Sequence, residues 1–358
     1  MLNEVSSLIR GVDLFCGVGG LTRGLEISGI PMSLGIDIDV DCEYPYSENN
    51  DSSFVLKPIE EFSADDLPRD FHDAPFKLLA GCAPCQPFSA YSRTWSSPAD
   101  KRWNLLEQFS RLIREARPHL ITMENVPPLL RHKVFDDFLA VLEHEGFEVS
   151  YSVVNCADYG VPQHRQRIVL LASTLGPIDL IPPTTPGTLQ LTVRQSIGDM
   201  SPLSAGDVCG TDPLHQSSSL SSLNLSRIRS SKPGGTWRDW DVTLRASCHR
   251  RKSGMTYSGI YGRMRWDTPS PTLTTQFFGF GNGRFGHPEQ DRAISLREGA
   301  MLQSFPKTYK FVKDDERIYR NRVGRLIGNA VPVKLGVAIG RSILLHIQNW
   351  LAFNSCTK

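Results

Sequence analysis

Residues 81–91 read GCAPCQPFSAY, with Cys82 and Cys85 three positions apart and Pro84 and Pro87 on either side of the second. A cysteine thiolate can be a nucleophile or a metal ligand, and a pair can be a redox couple. A redox CxxC needs its first cysteine exposed at a helix N-terminus, and the prolines here break a helix at once. A tetrahedral zinc site needs a second pair with matching spacing. Cys16, Cys42, Cys156, Cys209, Cys248 and Cys356 form none, and no metal is expected. That leaves a single nucleophile, Cys85, in a rigid loop, with a partner acid or base still to be found. Cys82 reads as a small buried filler.

Three further stretches carry suitable residue types. In DLFCGVGGLTRGL, residues 13–25, glycines at 17, 19 and 20 stand where a strand turns into a helix. Such a turn lets the backbone approach a ligand, and Asp37 and Asp39, some twenty residues on, suit a ribose diol. The glycines do not separate a dinucleotide from an adenosyl ligand. In TMENVPPLL, residues 122–130, Glu124 follows a short apolar run. A partly desolvated carboxyl there could act as a proton donor. In PQHRQRIVLLA, residues 162–172, Arg165 and Arg167 alternate and would point the same way from an extended segment, toward a phosphate or a base carbonyl. The plain alternatives are a tight turn, a helix cap and an edge-strand salt bridge.

Elements to position these groups are legible nearby. Apolar runs at 12–15, 32–38, 77–80, 119–123, 149–154 and 167–172 read as strands. Helical patterns lie between them: one from the glycine turn to about 27, one opened by Asn104 with Leu105, Leu106, Phe109, Leu112, Ile113 and Ala116 on one face, and one over 134–146. The alternation predicts an α/β fold, a doubly wound and mostly parallel sheet. From about residue 186 the pattern becomes irregular and rich in Pro, Ser, Gly and Thr, and an apolar helix over 335–351 is expected to pack back on the first domain. The expected layout is 1–185, 186–319 and 320–358.

The 358 residues are 40% hydrophobic and 22% charged, ordinary for a soluble globular chain. No run of eighteen apolar residues and no secretory leader pattern occurs, and eight dispersed cysteines fit reduced thiols, so a cytoplasmic protein is expected. Net charge is only +1, but residues 227–265 hold ten Lys or Arg against Asp239 and Asp241, with Trp237, Trp240, Tyr257 and Tyr261 interleaved. That pattern suits phosphate and base contacts; a solvated loop is the plain alternative.

In this order, the stretches resemble the DNA cytosine-5 methyltransferase family of bacterial and phage restriction–modification systems. RAISLREGAMLQSFPKTYKF at 292–311 and RLIGNAVPVKLGVAIG at 325–340 resemble its late motifs. The resemblance implies a Rossmann-like S-adenosylmethionine-dependent catalytic domain with a smaller, irregular target-recognition domain. It implies methyl transfer to C5 of a flipped-out cytosine in duplex DNA, through a covalent Cys85 adduct at C6. Glu124 would act at N3, Arg167 near the cytosine carbonyl, and Arg165 beside it as a support or phosphate contact.

For the cofactor the resemblance implies Phe15, Gly17, Gly19, Gly20, Leu21, Asp37, Ile38, Pro84, Leu105, Asn329 and Val331. The family's usual acid at adenine is replaced by Pro58, which leaves Ile59, Glu60 or a backbone carbonyl for that contact. The loop 89–102 resembles a mobile active-site loop. Gln86, Ser89, Arg102, Arg238, Arg263, Thr272 and Thr274 are the implied DNA contacts. Double-stranded DNA is the expected partner of a monomer near the nucleoid, with a cognate endonuclease in the same system but no stable complex and no membrane. A tRNA cytosine-5 methyltransferase, a silent DNA-binding regulator on the same fold and a thiol oxidoreductase are the alternatives.

Overall fold

The computed structural model describes residues 2–84, 104–251, 254, 256 and 258–356. Cys85, Gln86, Ser89 and Arg102 lie outside the described residues. Two compact units are present. The first comprises residues 1–159, 166–184 and 331–358; the second comprises 160–165 and 185–330.

The first unit is built on a seven-stranded sheet of β1 (Ile9–Leu14), β2 (Met32–Asp37), β3 (Ser53–Leu56), β4 (Phe76–Gly81), β5 (Leu120–Asn125), β6 (Glu148–Asn155) and β7 (Gln166–Ser173). Their order is β3-β2-β1-β4-β5-β7-β6. The first five pair in parallel, and β7 runs antiparallel between β5 and β6. The mostly parallel α/β sheet expected from the alternation is therefore present, with one reversed strand that apolar periodicity does not reveal. The chain leaves β1 in one direction and returns to β4 on the other side, so strand order switches between them. Open α/β sheets bind ligands outside the carboxyl ends of the strands at such a point.

The helices of this unit are α1 (Leu2–Ser7), α2 (Gly20–Ser28), α3 (Glu43–Asn49), α4 (Arg69–His72), α5 (Asn104–Ala116) and α6 (Lys133–His144). Val12, Leu14, Leu79, Ile121, Met123 and Leu170 of the strands share a core with Phe109 and Leu112 of α5 and Phe135, Phe138 and Leu142 of α6. The face of α5 predicted by helical spacing is thus the buried one.

The second unit has little regular structure. It contains α7 (Val193–Ile197), the hairpin β8 (Val208–Cys209) and β9 (Asp212–Gln216), α8 (Ser222–Arg229), α9 (Leu296–Leu302) and α10 (Arg320–Asn329). A small core gathers Ile228, Trp237, Trp240, Phe280 and Ala293. The predicted boundary at 319/320 falls before α10, whereas α10 packs on α9 inside this unit. Ser295 caps α9 in a reciprocal box with Glu298, whose carboxylate also takes two 2.7 Å hydrogen bonds from the fully buried Arg292.

The chain ends in α11 (Val333–Cys356), which packs on α2 in the first unit. Residues Arg320–Ser355 include a window apolar enough to cross a membrane, but two thirds of it is buried inside the protein, as a core helix would be. Helices α2 and α11 meet at bare backbone. A Cβ on Gly24 would lie 2.4 Å from the Val333 carbonyl oxygen and 2.6 Å from Gly336 Cα. Gly24→Ala is expected to cost about 1–3 kcal/mol, the range for forced overpacking, and to lower Tm; an unchanged Tm would show that the helices separate without cost.

Candidate active site

At the switch point the end of β1 runs into a turn that only special backbone angles allow. Phe15 has φ 58°, Gly17 54° and Gly19 82°, all left-handed. Phe15 carries a side chain there, a conformation that is costly for an aromatic residue and is retained where the surroundings over-determine it. The turn is fastened to the end of β2: Gly17 N–H donates to Asp37 Oδ2 at 2.8 Å, and Asp39 N–H to Asp37 Oδ1 at 2.9 Å. Burial pushes the Asp37 carboxyl up, against the pull of those two N–H groups. Next to it Ile38 is 69% exposed and Val40 62% exposed. An oriented carboxylate beside bare apolar side chains fits a ribose diol and the face of a purine.

The remaining implied cofactor residues divide. Gly20 opens α2, and Leu21 is buried in it. Pro84 is exposed, Leu105 is half-buried against the core of α5, Asn329 ends α10 exposed, and Val331 is buried. Pro58 precedes a single 3-10 turn, Ile59–Glu61. The Ile59 side chain is buried in the core and its carbonyl accepts from Arg111, while Glu60 is exposed. Behind the turn lies a group the sequence reading passed over. Asp13 is buried, accepts from Thr22 Oγ1 at 2.6 Å, and has an Oδ1 without a partner among the described residues. Burial pushes its carboxyl up to about 7.

The second part of the site sits at the ends of β4 and β5. Glu124 lies inside β5 rather than just past it, and is 3% exposed. Arg167, near the start of β7, brings Nε to 2.8 Å from Glu124 Oε1. The approach is off the N–H axis, so this is an ion pair that leaves Oε1 without an aligned donor among the described residues. The other oxygen, Oε2, accepts from the Cys82 thiol at 3.1 Å. Cys82 N–H is itself held by the Leu14 carbonyl, and Asn125 Nδ2 donates to the Ala83 carbonyl at 3.0 Å. The segment leading to Cys85 is thereby tied to β1 on one side and β5 on the other.

A family model, C-5 cytosine-specific DNA methylase, matches residues 9–345. The chain belongs to this family. It is a DNA cytosine-5 methyltransferase. It is 49% identical over 340 residues to the Type II methylase M.HgiDII of Herpetosiphon aurantiacus, covering 94% of this chain and 95% of that one. It is 30% identical over 344 residues to the Type II methyltransferase M.Sau96I of Staphylococcus aureus, covering 94% and 76%. In fold it resembles the Spodoptera frugiperda DNMT2 mutant, with TM-score 0.64 at 16% identity over 94% of this chain and 99% of that one.

Within this methyltransferase two of the expected arginines, Arg165 and Arg263, are buried in the second unit. Arg165 was expected to point the same way as Arg167, but β7 begins at Gln166, so the alternation of a strand does not extend to it. Arg165 belongs to the second unit, is buried, and donates to the carbonyls of Leu273 and Gly328, both at 3.1 Å. It ties the 270–276 stretch to the end of α10. Gln163, missed by the sequence reading, does similar work: it donates to Gln303 Oε1 and accepts from Leu273 N–H.

The basic cluster also divides. Arg263, expected at DNA, is buried and donates to the carbonyls of Ile228, Ser231, His287 and Gln290 and to Asp291. It holds the irregular unit together. Arg238 is exposed, over the Trp237 ring. Thr272 is exposed and donates to the His164 carbonyl, and Thr274 is half-buried.

Arg263→Met should therefore cost about 3 kcal/mol or more by leaving buried acceptors and Asp291 unpaired, read by denaturant unfolding. Arg238→Ala should leave stability within about 0.5 kcal/mol and reduce the salt slope of DNA binding by about one. Equal stability of the two variants would contradict the division.

Proposed function

We propose that the enzyme transfers a methyl group from S-adenosylmethionine to C5 of a cytosine turned out of duplex DNA, through a covalent adduct between Cys85 and C6. The observation that carries this reading is the buried Glu124 carboxylate, gripped by Arg167 and Cys82 at the carboxyl edge of the sheet. A buried acid at that edge is costly unless it is held by charge and hydrogen bonds, and the grip supplies both.

C5 of cytosine is a weak nucleophile. Addition of the Cys85 thiolate to C6 puts electron density into the ring, and Glu124 stabilises that charge by giving a proton or hydrogen bond at N3. Arg167 keeps Glu124 oriented and would also serve the base carbonyl. C5 of the resulting enamine would take the methyl as its bond to the donor sulfur breaks, and S-adenosylhomocysteine would leave. S-adenosylmethionine supplies an electrophilic methyl bound to a sulfonium sulfur. The C5 proton then passes to a base, the Cys85–C6 bond breaks, and aromaticity returns. Phe15, Gly17, Gly19 and Asp37 would hold the donor, with Ile38 against its adenine. C5 and C6 are covered in a stacked duplex, so unstacking costs a few kcal/mol before the chemistry begins.

The irregular second unit would read the target sequence, with Arg238, Thr272 and Thr274 as contacts. Gln86, Ser89 and Arg102 would act from the loop that follows Cys85. The Type II names of the relatives support a place in a restriction–modification system. The enzyme would act there as a monomer on DNA in the cytoplasm. Tritiated S-adenosylmethionine should label duplex DNA with wild-type protein. Cys85→Ser should abolish labelling, and Glu124→Gln should lower it about 100-fold or more. Bisulfite sequencing of host DNA should show protected cytosines in one short sequence. Labelling of tRNA but not duplex DNA, or a fully active Cys85→Ser, would contradict the reading.

A further inference from the structure

Cys82 reads from sequence as a filler, and its thiol instead lies 3.1 Å from Glu124 Oε2. Its backbone leaves it little choice. The N–H is bound to the Leu14 carbonyl, and the following carbonyl, that of Ala83, is bound by Asn125. The thiol is thus carried by a segment fixed at both ends, against a carboxylate that is itself buried in a strand.

We propose that Cys82 is a positioning residue for Glu124, its S–H bond to Oε2 holding the carboxylate in place beside Arg167. This inference rests on the role given to Glu124 above and adds the contact that fixes it. Oε2 already accepts the Cys82 thiol. Oε1 has the Arg167 charge beside it but no aligned donor among the described residues. A glutamate has three side-chain torsions, and one grip on each oxygen fixes them before substrate arrives. Preorganisation of that kind lowers the barrier because nothing has to reorient during reaction.

The test uses full-length protein, duplex DNA and tritiated S-adenosylmethionine, with kcat and both KM values measured. Cys82→Ala removes the donor at little cost in volume. It is expected to lower kcat about 10-fold, the size of one hydrogen bond to a charged group, with both KM values within about twofold. Cys82→Ser restores a donor and is expected to recover kcat to within about threefold. In a Glu124→Gln background, adding Cys82→Ala should change single-turnover rates less than about twofold, because the two residues act through one contact.

Wild-type kcat in Cys82→Ala, equal losses in the alanine and serine variants, or multiplying effects in the double variant would each overturn the proposal. If Cys82→Ala lowers Tm so far that kcat cannot be compared, the serine variant and its double with Glu124→Gln still decide. No transfer to DNA by the wild-type protein would overturn the role of Glu124 itself, and this inference with it.

Discussion

The site depends on the register of β1 with β4. The two strands run parallel with Leu14 beside Gly81, so both chains leave the sheet at the same edge and side by side. From one comes the turn through Phe15, Gly17 and Gly19; from the other comes the segment through Cys82 and Pro84 toward Cys85. The Cys82 N–H bond to the Leu14 carbonyl continues the ladder one step past the strands. The turn after β1 and the segment that leads to Cys85 are therefore held by the same hydrogen bonds that hold the sheet. A displacement of one would strain the other.

The reversed strand completes the arrangement. In a parallel strand the start lies at the edge opposite the ligand, and an arginine near it would be far from the chemistry. Because β7 runs antiparallel to β5, its first residues lie at the carboxyl end of β5, where Glu124 pairs with Val169 and Arg167 lies beyond. One change of direction thus turns a QRI sequence at a strand start into the charge partner of a buried carboxylate. A plain central strand reverses the usual order of the doubly wound sheet, and the site uses that reversal.

The strands and helices that carry strong apolar periodicity were legible in the sequence, because burial of one face is what periodicity encodes. So was the glycine turn, since Gly17 and Gly19 stand at left-handed angles. Strand β3, SFVL, was not: it is an edge strand of four residues with a half-buried pattern, too short to show a period. The direction of β7 left no mark, since alternation looks the same both ways. Charge proved the least readable property. Arg263 and Arg238 lie in one basic run, yet the first is an internal strut and the second is exposed, and only the carbonyls that converge on Arg263 tell them apart. The same holds for Cys82, whose partner is 42 residues away in sequence.

The central claim is that a single thiolate adds to the base while Glu124 stabilises the charge. Its most direct measurement is covalent trapping on duplex DNA carrying 5-fluorocytosine at the methylated position. Fluorine on C5 cannot leave as the proton does, so the ring stays bonded to the attacking sulfur after methyl transfer. The account predicts a denaturation-resistant protein–DNA adduct that forms only with S-adenosylmethionine, with peptide mass spectrometry placing the nucleotide on Cys85. Absence of any adduct from a preparation that methylates the unmodified duplex, or attachment at Cys82, would contradict it.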